Sequence, residues 1–233
     1  GNIICDNATN INWAEFCKNE NNSEIFVIGN PPYVGPNKQS KKQKSDIKRI
    51  FNEMKGCNIL DYISCWFSLS SKYIQKSGAK IAFVSTNSII QGEQVSILWP
   101  EIYKHNVEIH FAYKSFHWTN NAKNKAGVTC VIVGLDNKDK IKNRKIYDDT
   151  KIISAKYINA YLHNGPNVLV HKENMQIANL PKMAKGNMPL DGGNLILSED
   201  EKEKLLNDDV NTQKFIRPLM GAEEYINGKK RYL

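Results

Sequence analysis

The chain has no hydrophobic run long enough to cross a membrane, and it does not open on a signal-peptide pattern. Neither a membrane-spanning nor a secreted class is therefore expected. Cysteine is sparse and dispersed. Cys5, Cys17, Cys57, Cys65 and Cys130 form an odd set at unrelated spacings, which excludes a disulfide scaffold and fits free thiols in a reducing, cytoplasmic compartment. These thiols and the five histidines (His105, His110, His117, His163, His171) make no metal-ligand spacing, so no metal site is expected. Acidic residues are outnumbered: 24 Asp and Glu face 32 Lys and Arg, giving a net charge of +8 and a pI near 9.1. That balance suits a polyanionic partner. No internal repeat and no nuclease motif is visible.

What is present is enough for a core. At 233 residues with 41% hydrophobic content, the chain can form one large domain or one and a half smaller ones. Short β-rich runs alternate with amphipathic stretches, the pattern of an α/β sheet. Ile3 to Cys5 reads as a strand end, Asn12 to Lys18 as a short helix, and Glu24 to Ile28 as a buried strand. Ile59 to Gln75 reads as a helix, because Ile59, Ile63, Trp66, Phe67, Ser70, Tyr73 and Ile74 share one face. Lys80 to Ser85, Val107 to Ala112 and Val128 to Gly134 read as strands, the first two separated by a helix that Pro100 ends or kinks. Beyond Lys138 the pattern loosens into segments punctuated by Asn, Gly and Pro, and Ser198 with Glu201 forms a capping box for a helix to Asn207.

The strand Glu24 to Ile28 delivers Asn30, Pro31, Pro32 and Tyr33 to a loop. Two successive prolines fix φ and keep the residues before them extended, so the loop is stiff. It sets a neutral amide beside an aromatic ring. The Asn30 side-chain oxygen and the Pro31 carbonyl can each accept one hydrogen of an exocyclic amine, and Tyr33 can stack on the ring that carries it.

Asn30-Pro31-Pro32-Tyr33 resembles the catalytic motif of the amino-methyltransferases that use S-adenosylmethionine, above all the adenine-N6 DNA methyltransferases. Further blocks narrow the match: Leu60-Asp61-Tyr62 with Trp66-Phe67, Ala82 to Ser88 running on to Gln91 to Gln94, Phe116 to Asn120 with Ala122, Asp191 to Leu197, and Gly228 to Tyr232. In this order they resemble the methyltransferase and early target-recognition regions of the MmeI-like restriction–modification enzymes. The resemblance implies part of a Rossmann-like class I methyltransferase sheet with helices on both faces (residues 1–180), followed by the start of a target-recognition domain (residues 181–233). It implies S-adenosylmethionine as cofactor, double-stranded DNA as partner, and an adenine flipped out of the duplex.

By the same resemblance, Asn30, Pro31, Pro32 and Tyr33 are catalytic. Phe116 or Trp118 stacks on the second face of the base, with Trp118 favoured by the basic, Asn-rich loop that follows it. Asp6 or Asn7, and less directly Asp61, contact the cofactor; Asn87 lines the pocket or closes a turn. The glycine-rich turn that receives the methionine portion of the cofactor precedes the catalytic motif in this family, and none precedes Asn30 here. The chain is therefore expected to be part of a larger enzyme and inactive alone. The usual strand order would leave the Glu24–Ile28 strand as an apolar edge, and self-association along it is expected.

Charge supports the nucleic-acid reading. Asn37 to Lys55 holds seven Lys and Arg against two acids, directly after the catalytic loop. Lys38, Lys41, Lys42, Lys44, Lys48 and Arg49 are the candidate phosphate contacts. Lys138 to Lys156 is a second basic stretch, with seven against three, and suits DNA or solvent equally. Lys214, Arg217, Lys229, Lys230 and Arg231 are basic positions of the C-terminal part that could meet DNA. Two competing readings are a glutamine methyltransferase acting on protein and a catalytically silent DNA-binding piece.

Overall fold

In the computed structural model the described residues are 3–19, 23–118, 128–173 and 191–233, with the side chain of Trp118 outside that set. They divide into two compact units, Gly1–Asn174 and Met175–Leu233.

The first unit is an α/β layer structure. Its elements are α1 (Trp13–Phe16), β1 (Phe26–Gly29), α2 (Lys41–Ile50), α3 (Ser64–Ser77), β2 (Lys80–Thr86), α4 (Glu93–Tyr103), β3 (Val107–Trp118), β4 (Val128–Asn137), β5 (Arg144–Asp148) and β6 (Lys151–Ala155). The strands form one six-stranded sheet in the order β1-β2-β4-β3-β5-β6. β1 and β2 run parallel, β4 is antiparallel to both β2 and β3, and β5 is parallel to β3 and antiparallel to β6.

Alternation along the strands builds the core. Ile81, Phe83 and Ser85 of β2 pair in register with Leu135, Val133 and Val131 of β4, and all six are buried. α3 lies against this face. Phe67 meets Phe83 edge-on at 5.5 Å and Trp99 of α4 at 6.4 Å, and the Trp99 indole donates to the Ile89 carbonyl at 2.7 Å. Truncating a buried ring of this kind costs roughly 3–5 kcal/mol, so this cluster dominates the unit's stability. On the opposite face the Phe111 ring covers Gly134, where an added Cβ would lie 2.2 Å from it.

The structure departs from the expected elements at several points. Ile3 to Cys5 is not a strand: Ile3 is 95% exposed and pairs with no strand among the described residues. The helix expected over Ile59 to Gln75 begins only at Ser64, because the Asp61 side chain accepts the Ile63 N–H at 3.2 Å and holds the chain out of helix before it. Pro100 does not end its helix, which runs on to Tyr103; the proline sits on the exposed side, and its missing N–H leaves the Ser96 carbonyl without its partner four residues on. β3 extends six residues past Ala112 because β4 continues to pair with it to Trp118. The basic segment after Tyr33 holds a helix, α2, capped by Ser40 and Gln43, with Ile47, Ile50 and Phe51 in the core. β5 and β6 add an unforeseen hairpin to the sheet.

At the other edge, β1 pairs only with β2 among the described residues, and Phe26 and Ile28 are 59% and 81% exposed. Beneath it an apolar hollow of about 350 Å³ is lined by Ile11, Trp13, Phe16, Val27 and Tyr73, among others.

The second unit holds α5 (Glu199–Asp208), β7 (Pro218–Leu219), α6 (Ala222–Asn227) and β8 (Arg231–Tyr232). Ser198 and Glu201 form the expected capping box. Arg231 is held by Glu223 and Glu224, while Lys229 and Lys230 pair with Glu223 and Glu199 at the surface. No helix of the described residues is long and apolar enough to cross a membrane.

Candidate active site

β1 ends at Gly29, in register with Phe83 of the parallel β2, which runs on to Thr86, and the loop carrying Asn30 leaves the sheet at this C-terminal end of both strands. In α/β sheets this end is where ligands bind. Asn30 and Pro32 are exposed, Pro31 is buried and Tyr33 is half-buried. Because neither proline has an N–H, the loop has few backbone donors of its own. Its anchor is the next peptide. The Val34 N–H donates to Asp61 Oδ1 at 2.8 Å, and the Val34 carbonyl accepts from Gln39 Nε2 at 2.8 Å and from the Tyr62 N–H at 3.1 Å. Gln39 also donates to the Leu60 carbonyl at 2.9 Å, and the Asp61 N–H donates to Gln94 Oε1 at 2.8 Å. Asp61, proposed from sequence as a cofactor contact, thus sits under the catalytic loop and is 5% exposed. Burial pushes its carboxyl above the usual range, while hydrogen bonds from the Ile63 and Val34 amides and from Ser88 pull the other way.

Tyr33 lies near the thiol of Cys130, and burial raises the pKa of both groups. Cys130 stands in register with Thr86 on one side and Phe116 on the other. Cross-strand partners share a sheet face, so half-buried Phe116 lies on the same face as Cys130, near Tyr33. Trp118 follows two residues later, opposite Val128, and its side chain lies outside the described residues. Asn87 begins the turn after β2.

At the N-terminal turn the two cofactor candidates separate. Asp6 is exposed, and its Oδ1 accepts the Asn7 N–H at 2.6 Å. Asn7 faces inward: its amide donates to the Tyr62 hydroxyl at 3.2 Å and to Asp46 Oδ2 at 3.4 Å, and its oxygen accepts the Thr9 N–H. Tyr62 donates to Asp46 Oδ2 at 2.8 Å.

The basic residues also divide. Lys38, Lys41, Lys42, Lys44 and Lys48 are exposed. Arg49 instead ties α2 to the N-terminal turn, bonding Asp46 Oδ1 (3.0 Å), the Thr9 carbonyl (3.1 Å) and Asn10 Oδ1 (2.9 Å). Sequence reasoning missed Gln39, Asp46, Tyr62 and Gln94. Their partners lie at irregular separations; Tyr62 and Gln94 stood within the blocks that carry the family resemblance, but nothing there gave them a role. Among the described residues no cluster of His, Cys, Asp and Glu could hold a metal.

Comparison with known proteins gives a consistent result. Residues 1–148 match the model of the MmeI DNA-methyltransferase domain, and residues 164–233 match that of the MmeI target recognition domain. The chain is 46% identical over its whole length to DNA methyltransferase A of Bacillus subtilis (strain 168), and spans 26% of that protein. It superposes on the type IIL restriction–modification enzyme MmeI, solved in complex with DNA, with a TM-score of 0.90 and 37% identity, covering 98% of this chain and 31% of that one.

The buried Asp61 carboxyl generates a pH prediction. Its raised pKa favours the neutral acid in the fold, so this stabilisation is present at acid pH and is lost as pH rises through the raised value. Asp61→Asn keeps an acceptor for the Val34 amide but cannot ionise. Urea midpoints at acid and neutral pH should show the variant gaining on the wild type as pH rises; a parallel pH dependence would contradict this.

Proposed function

The chain belongs to the MmeI family of DNA methyltransferases, and from that premise we propose that it transfers a methyl group from S-adenosylmethionine to the N6 amine of an adenine flipped out of double-stranded DNA, within a restriction–modification system in the cytoplasm. The observation that carries this reading is the Asn30–Tyr33 loop at the end of β1, with the Val34 peptide behind it tied on both sides.

The adenine amine is a weak nucleophile because its lone pair is delocalised into the ring. Asn30 Oδ1 and the Pro31 carbonyl accept its two hydrogens and favour a more pyramidal nitrogen, leaving the lone pair directed away from the acceptors. Tyr33 stacks on one face of the base, and Phe116 or Trp118 closes the other. Positioning and electrostatics do most of the work, without a strong base. S-adenosylmethionine, when bound, supplies an electrophilic sulfonium methyl. The exposed Asp6 carboxylate at the N-terminal turn is chemically suited to accept from the amine of its adenine moiety. Lys38, Lys41, Lys42, Lys44 and Lys48 meet phosphates beside the flipped base.

The target-recognition match over residues 164–233 favours DNA over a protein glutamine as substrate. The 233 residues by themselves transfer little methyl, because no glycine-rich cofactor turn is among those before Asn30. They associate with one another through the exposed β1 edge.

The test uses the full polypeptide that carries these residues, with plasmid DNA and methyl-labelled S-adenosylmethionine. Digestion to nucleosides should place the label in N6-methyladenine. Label in a methylated cytosine, or none in DNA, would overturn the reading. For the edge, light scattering of the 233-residue chain should give a dimer or larger species that dissociates on Ile28→Lys; a monomer with Ile25 to Ile28 amides protected from exchange rules it out.

A further inference from the structure

We infer that the dipeptide Asp61–Tyr62 is the positioning element that sets the separation between methyl acceptor and methyl donor. The inference deepens the methyl-transfer reading above and rests on it. Two adjacent residues reach in two directions. The Asp61 carboxylate accepts the Val34 N–H at 2.8 Å, one residue beyond the stacking tyrosine, and the Tyr62 backbone N–H donates to the carbonyl of the same residue at 3.1 Å. The Tyr62 side chain reaches the N-terminal turn, donating to Asp46 and accepting from Asn7, the neighbour of Asp6. The loop that grips the amine and the turn that meets the cofactor are therefore referred to a single short segment.

That segment is rigid. Asp61 is 5% and Tyr62 3% exposed, and both lead through the fully buried Ile63 into α3, whose Cys65, Phe67 and Ile74 are completely buried. Gln94 fixes the Asp61 amide, and Tyr62 packs edge-on against Trp66 at 5.2 Å. A direct cofactor contact by Asp61 fits less well. Its Oδ1 already accepts two backbone amides, from Val34 and Ile63, and its side chain is enclosed.

In-line displacement is steeply sensitive to separation, with a misplacement of about 1 Å costing on the order of a hundredfold in rate. Loss of the clamp should therefore appear in the chemical step and leave binding nearly intact. In the full polypeptide, Asp61→Ala should lower the single-turnover rate on the order of a hundredfold. The dissociation constants for S-adenosylmethionine and DNA should change by less than about threefold, since neither ligand touches the clamp. Asp61→Asn, which keeps an acceptor at Oδ1, should recover the rate to within about tenfold of wild type. Hydrogen exchange reads the clamp without catalysis: the Val34 amide should be protected in wild type and Asp61→Asn and exchange faster in Asp61→Ala. Should Asp61→Ala not fold, Gln39→Met removes one of the two hydrogen bonds on the Val34 carbonyl and should also slow transfer and speed exchange at Val34, by less than Asp61→Ala. A parallel rise in the cofactor dissociation constant with unchanged Val34 exchange would make Asp61 a cofactor ligand and overturn the inference. A wild type that transfers no methyl would defeat the functional reading, while unchanged Val34 exchange would defeat the clamp on its own.

Discussion

The peptide of Val34 is the point on which the site depends. A loop built on two prolines gains stiffness and loses donors, so it cannot tie itself to the sheet that presents it. Its orientation must come from the first residue beyond it, Val34, which is bonded at both its N–H and its carbonyl by Asp61, Gln39 and Tyr62. Left unpaired in such a setting, each of these groups would cost about 1–3 kcal/mol. The clamp thus contributes to stability and fixes the direction in which Asn30 is offered.

The core supports this arrangement from below. α3 is buried along most of its length, and the Phe67, Phe83 and Trp99 rings lock it to β2 and α4. Among the described residues β1 draws its support from one neighbour, β2. The rigid half of the sheet is therefore the side away from the β1 edge, and the polar network of Asn7, Asp46, Arg49 and Tyr62 carries that rigidity to the N-terminal turn.

The sequence disclosed the parts whose signals are local. The loop Asn30 to Tyr33 at the end of a strand, the strands β2 and β4, and the Ser198 capping box all follow from neighbouring residues and appear where they were expected, whereas β1 itself is an exposed edge and not the buried strand its composition suggested. Features made by long-range pairing did not show. Ile3 to Cys5 has the composition of a strand but no strand beside it among the described residues, whereas β5 and β6, rich in lysine and polar residues, are strands because β3 offers a partner. In α2 the lysines masked the helical spacing of Ile47, Ile50 and Phe51. Arg49 was grouped with those lysines by charge, but its guanidinium turns to Asp46, Thr9 and Asn10. Asp61 looked like a polar helix position near a cofactor site, because nothing in a linear reading connects it to Val34, 27 residues earlier.

The central claim is that Asn30 acts as a hydrogen-bond acceptor that positions an amine. Single-turnover methyl transfer by the full polypeptide, with wild type, Asn30→Asp and Asn30→Ala measured side by side, tests it most directly. An aspartate keeps an acceptor oxygen at the same reach and should retain a measurable rate, whereas alanine should abolish transfer with DNA binding preserved. Equal loss in both variants, or substantial activity with alanine, would contradict the account.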